Sequence, residues 1–180
     1  MIASLPMYLR PANRAAHHAL WALIRDQLRQ RDIPAPDALD EAIDFEASWA
    51  HPDLVLGQIC NLPYRAQFRD RVTRVAAMDY DLPGCAPGYY NSVFIVHRDS
   101  HLSDLRHLRG RRMAASALLS QSGYGAAQQW AADQGFVFAS PLITGNHAAS
   151  IKAVATGAAD FASIDAQTWW MAQQDDPLTG

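Results

Sequence analysis

Two rhythms of apolar positions alternate along the chain, short continuous runs and stripes at helical spacing, and together they predict strands alternating with helices. The first run, residues 2–5, stops at Pro6. After a loop carrying Tyr8, the residues Ala16, Leu20, Leu23, Ile24 and Leu28 recur as one face of a helix that begins near Asn13. Pro34 and Pro36 break it, residues 39–45 read as a weaker strand, and residues 46–50 as a helical turn closed at His51 and Pro52. Residues 54–59 are nearly all apolar, as suits a strand buried on both faces, and lead into a polar and aromatic loop from Gln58 through Asn61 to Arg65. Residues 72–77 are a further strand candidate, and a Pro/Gly-rich connection follows. The strongest strand is 89–96, rich in aromatic and β-branched residues. Beyond it the rhythm repeats: a short helical segment closed at Gly110, a strand over 112–117, a loop over 118–125, a helix over 126–134 closed by Gly135, and a strand over 142–144. The loop Gly145, Asn146, His147 then opens a helix that Gly157 ends. Residues 161–165 form a strand finishing on Asp165, and a last helix begins at Thr168.

This alternation predicts an α/β fold with mainly parallel sheets flanked by helices. Ligands in such sheets bind outside the carboxyl ends of the strands. Five polar loops occupy that position, at Tyr8, at 58–64, at 120–125, at Asn146 and His147, and at Asp165. A composition shift near residue 97 leaves two of them before it and three after. The expectation is therefore two lobes, 1–96 including a hinge strand over 90–96, and 97–180, with a ligand between them.

The loop Ser120-Gln121-Ser122-Gly123-Tyr124-Gly125 carries the chemistry. A hydroxyl- and glycine-rich turn feeding a helix offers backbone N–H groups and Ser side chains at the positive end of the helix dipole, which suits an anion or an oxygen-rich ligand. An ordinary N-cap with a flexible approach has the same composition, and both readings stand at this point.

Composition narrows the partners. The chain is 49% hydrophobic and 18% charged, enough to bury a core, and its net charge of −3 supplies no basic field for nucleic acid. Cys60 and Cys85 lack zinc-type spacing, and a disulfide between them stays open. Neither a metal nor a cofactor is expected. His17 and His18 diverge on their helix and read as a solvated pair rather than a metal site. Arg109, Arg111 and Arg112 read as favouring a helix dipole, whereas Arg65, near Asn61, is a candidate anion contact. Tyr8, Tyr64 and Tyr90 are divided between cleft walls and core, and Trp169 is expected in a helix–sheet core. No basic segment precedes a long apolar run at the N-terminus and no stretch is long enough to span a bilayer, so the expectation is a cytoplasmic chain as written, or a periplasmic one after loss of a leader.

Ser122, His147 and Asp165 also invite reading as nucleophile, base and orienter. Against that, Gly-x-Ser-x-Gly is absent, and the chain order is not the Ser, Asp/Glu, His of the α/β-hydrolases. In a binding protein the same groups have simpler duties: serines and N–H groups hold the anion, His147 donates to it, and Asp165 accepts from a ligand amine or hydroxyl.

Several stretches, in order along the chain, resemble the phosphate/phosphonate-type substrate-binding proteins of ABC transporters. They are residues 53–58, residues 88–96, the segment ending at Gly110, Ser120-Gln121-Ser122-Gly123, Gly145-Asn146-His147, and Gly157 to Asp160 leading to Asp165. The resemblance implies the two-lobed type II periplasmic-binding-protein fold and a small anionic ligand, phosphate- or phosphonate-like, with an ABC permease as partner. It implies that Ser120, Ser122 and Gly123 contact the oxyanion, that Tyr90, His147 and Asp165 line the cleft, and that Tyr8, Gln58 and Asn61 face them. Relatives would return a strand and helix to the first lobe, and the sequence stops at Pro177 to Gly180 without that crossing. The uncovered edge then offers self-association. An enzyme of cofactor-precursor metabolism, or a cytoplasmic ligand sensor, is the alternative on the same fold.

Overall fold

In the computed structural model, which describes residues 1–175 and Thr179, the chain falls into two units, Met1–Arg74 and Val75–Gly180. In the first, β1 (Ile2–Ser4) pairs in parallel with β2 (Leu54–Gly57), Ala3 opposite Leu56 and Ser4 opposite Gly57. Between them in sequence runs α1 (Arg14–Arg29), whose inward stripe is Trp21, Ile24 and Leu28, packed with Ala3, Ala35 and Leu39. Leu20 and Leu23, expected on that stripe, face outward.

Two expected strands are absent. Residues 39–45 are taken by turns, because the Asp40 carboxylate accepts from the Ala42 and Ile43 amides, and Asp44 caps α2 (Phe45–Ala50) by accepting from Glu46 and Ala47. Residues 72–77 make no ladder, and Val75 is 81% exposed. The run expected to be buried on both faces, β2, is half-buried. After it the chain turns into α3 (Asn61–Pro63), continued by a π-helical turn, Tyr64–Phe68. Trp49 of α2 fixes this junction. Its Nε1 donates to the Gln58 carbonyl at 2.8 Å, and its ring meets Phe68 edge-on with centroids 5.7 Å apart.

The second unit is built on one sheet in the order β3, β6, β4, β5, formed by Ser92–Val96, Phe161–Asp165, Met113–Ala115 and Leu142–Ile143. β4 runs parallel to both β5 and β6, whereas β3 is antiparallel to β6. Side chains on these strands alternate between two apolar layers, as a period of two requires. Ile95, Ala114, Ala162 and Ile164 pack with Ile151 and Val154 of α5 (His147–Ala155) and Ala172 of α6 (Ala166–Asp175). Met113, Ala115 and Phe161 pack on the other face with Ala127 and Ala131 of α4 (Ala126–Asp133), and with Leu108 and Phe138. β6 is buried along its whole length, the environment of a central strand covered by helices on both sides. Trp169 packs against the α5 and α6 layer, as expected.

Arg112 departs from its expected role beside a helix dipole. It forks onto Asp160, at 2.8 Å to Oδ1, and onto the carbonyls of Gly157 and Ala158, tying the start of β4 to the turn that leads into β6. His18 is paired with Glu41 at 2.6 Å. Both cysteines are thiols.

Candidate functional site

Sheet topology gathers the second unit's polar residues at one edge. β4, β5 and β6 are parallel, so Ser116, Thr144 to Asn146 and Asp165 emerge together. The antiparallel β3 begins where β6 ends, Ser92 opposite Asp165 and the Ala166 amide donating to the Asn91 carbonyl. That brings Tyr90, just before β3, to the same edge.

The loop from β4 into α4 makes its own cap. The Ser120 hydroxyl accepts from the Gly123 amide at 2.9 Å, and the Ser120 carbonyl accepts from the amides of Tyr124 and Gly125 at 3.1 and 2.9 Å. The result is a π-helical turn over Gln121–Gly125, continuous with α4. Several amides expected to await a ligand are thus already bonded within the turn.

Gly123 permits the convergence. A Cβ there would stand 2.6 Å from Ser116 Oγ and 2.9 Å from Ser120 Oγ, closer than real Cβ atoms approach, and a tight 3.2 Å from His147 Cε1. Ser122 meets the same imidazole, its Oγ lying 3.0 Å from His147 Nε2. Its carbonyl accepts from the Ser163 hydroxyl at 2.6 Å, a fully buried bond between the turn and the middle of β6. His147 is the first residue of α5, which Asn146 caps by accepting from the Ala149 amide at 2.8 Å. A hydroxyl pair, Thr144 and Ser150 at 2.6 Å, fixes the approach to that helix.

Burial pushes the His147 imidazole below its ordinary protonation range, and the neighbouring Asp165 carboxyl partly opposes this. His147 Nδ1 is buried and has no hydrogen-bond partner among the described residues. Asp165 therefore does not orient the ring as a triad carboxylate would. It instead caps α6, accepting from the Thr168 amide at 2.9 Å. Ser122 and Asp165 are each only 4% exposed.

Among the residues expected at the site, Ser120, Ser122, Gly123, His147 and Asp165 are brought together, with Tyr90 at the same sheet edge. Tyr8, Gln58 and Asn61 belong to the first unit. Tyr8 is buried, its carbonyl accepting from Asn13 Nδ2, and Asn61 is exposed at the start of α3. Arg65 is exposed in the following π turn. Ser116 and Ser163 were not anticipated. The only trace of Ser163 in the sequence is a hydroxyl within the otherwise apolar stretch of β6, and Ser116 resembles any strand-end serine. Among the described residues, no three His, Cys, Asp or Glu side chains gather as a metal ion would require, and no helix is long and apolar enough to cross a membrane. Two open depressions, of about 520 and 370 Å³, lie in the first unit, one along residues 36–42 and one along α1, and neither is lined by Gln58 or Asn61.

None of the curated proteins compared matches the chain. A solved structure that does is PhnD1 from Prochlorococcus marinus (MIT 9301) in complex with methylphosphonate. It shares 23% identity and a TM-score of 0.44 over 49% of this chain and 36% of its own, so the chain spans about a third of that protein. The family model for "ABC transporter, phosphonate, periplasmic substrate-binding protein" matches residues 53–179, which include every expected site residue except Tyr8. With that match over most of its length, the chain belongs to the family of phosphonate periplasmic substrate-binding proteins of ABC transporters.

Proposed function

We propose that this chain binds a small phosphonate- or phosphate-like oxyanion as the periplasmic solute-binding component of an ABC transporter, handing it to a permease. The observation that carries the reading is the Ser122–His147 pair at 3.0 Å, beside the Ser120–Gly123 cap and at the mouth of a helix. Hydroxyl donors close to an imidazole at a helix N-terminus favour negative charge. The proposed contacts are Ser120, Ser122, Gly123, Tyr90 and His147, with Asp165 accepting from a ligand amine or hydroxyl where one is present. Tyr8, Gln58 and Asn61 complete the set. The family is one of binding proteins, and the unpartnered Nδ1 of His147 argues in the same direction, since a hydrolytic triad would hold it with a carboxylate.

Calorimetric titration of the purified chain with methylphosphonate and with inorganic phosphate tests the reading. Loss of one hydroxyl donor to an anion should weaken binding about tenfold or more in Ser122→Ala. A folded protein giving no heat with either anion would remove the proposal.

A further inference from the structure

Both nitrogens of the His147 ring are accounted for. Nε2 faces Ser122 Oγ at 3.0 Å, and Nδ1 is enclosed without a partner among the described residues. A neutral imidazole carries one proton, on one nitrogen or the other. With the proton on Nδ1, a buried N–H would go without an acceptor, an arrangement folded proteins avoid more strictly than an unfilled acceptor. With it on Nε2, Ser122 satisfies the donor and only a lone pair is left over at Nδ1.

That choice determines what Ser122 does. A hydroxyl that accepts from Nε2–H still has its own proton to give. Ser120 is in the same condition, because its oxygen accepts from the Gly123 amide. We propose that His147 is a positioning residue: its Nε2–H donates to Ser122, so that the Ser122 hydroxyl, like that of Ser120, is turned into a donor aimed at an oxygen that only accepts. The inference rests on the anion-binding reading for its ligand. It changes the part His147 plays there, from direct contact to action through Ser122. The pair then favours the fully ionised form of a phosphonate over the singly protonated form, whose P–OH must itself find an acceptor.

The surroundings fit a neutral ring. His147 stands at the positive end of α5, and burial disfavours its charge. Asp165 on β6 is the charged group facing it, and Tyr124 of the π turn packs in the apolar layer of α4. β3 and β4 contribute no charged residue, and Lys152, on α5 itself, is exposed.

The test uses the whole chain, labelled with ¹⁵N. Long-range proton–nitrogen correlation at pH 8, with the His147 signals assigned by their loss in His147→Gln, should show the proton on Nε2; a proton on Nδ1 overturns the proposal. Binding of methylphosphonate is then followed by calorimetry across its second ionisation. In wild type the dianion should bind about tenfold tighter than the monoanion. His147→Gln, whose amide can still donate to Ser122, should keep that preference, and His147→Leu, checked for folding by circular dichroism, should lose it. Leu keeping the preference, or Gln losing it as fully as Leu, overturns the proposal. If the proton is on Nε2 and no anion binds, the positioning role stands and the transport reading falls.

Discussion

Gly123 shows how one residue sets the local chemistry. Its lack of a Cβ, rather than an unusual backbone angle, is what matters, since three groups occupy the space a methyl would fill. The nearest is Ser116 Oγ at 2.6 Å, and it belongs to a side chain with little room to turn away, 8% exposed at the end of β4. Gly123→Ala should therefore cost about 1–3 kcal/mol, the usual penalty for overfilling a packed site. Removing the crowded hydroxyl in Ser116→Ala should recover part of that cost in the double variant, although Ser120 Oγ at 2.9 Å still opposes the methyl. Chemical denaturation of the four proteins of this cycle measures the coupling. Strict additivity would mean that Ser116 is not what the glycine accommodates. The sequence displays Gly123 plainly as part of a Ser-rich turn. It cannot show that Ser116, seven residues earlier, fills the gap, because that proximity depends on how β4 and the π turn fold back together.

Elements of the second unit follow their sequence patterns closely, for physical reasons. Phe161–Asp165 is a short apolar run that emerges as a strand buried on both faces, and Gly110, Gly135 and Gly157 end their segments at positive φ, which only glycine adopts at little cost. The failures are local too. Residues 39–45 have a strand's composition, but Asp40 and Asp44 bond neighbouring amides and take the chain into turns. The candidate loop was legible as a capped turn and His147 as a residue beside it, whereas the bond from Ser163 to the turn was set by strand register. α5 carries the prediction that belongs at this scale. It holds His147 in a buried position that outweighs the opposing Asp165 carboxyl, so the folded chain protonates this ring less readily than the unfolded chain does. A lowered value in the folded state gives a stabilising contribution that is complete above the unfolded value of about 6.5 and is lost as pH falls below it. Thermal unfolding should thus shift downward on acidification from pH 7.5 to 5.5, and the shift should be smaller in His147→Gln, which has no proton to take up. Equal shifts in the two proteins would show that other groups govern the acid response.

At the scale of the whole chain, the two units differ in what holds each together. Val75–Gly180 has a four-stranded sheet with apolar layers on both faces, and the aromatic group of Phe94, Trp130, Phe136, Phe138 and Phe161 tightens one of them. Met1–Arg74 has two strands, a small cluster around Trp21 and the separate Trp49–Phe68 contact. Two strands with one helical layer are close to the least that stands alone in water, whereas a sheet covered on both sides is well above it. Residues 75–180 expressed alone should therefore unfold cooperatively in urea, and residues 1–74 should give at most a shallow transition. Ser120, Ser122, Gly123, Tyr90, His147 and Asp165 all lie in the larger unit, so the isolated piece should also retain measurable affinity for methylphosphonate. If the proposed ligand set includes Tyr8, Gln58 and Asn61 of Met1–Arg74, the piece should bind more weakly than the full chain. Calorimetry on the piece separates the two contributions. Affinity equal to that of the full chain would strike the first-unit residues from the ligand set, and a cooperatively folded piece with no affinity would make them indispensable to it.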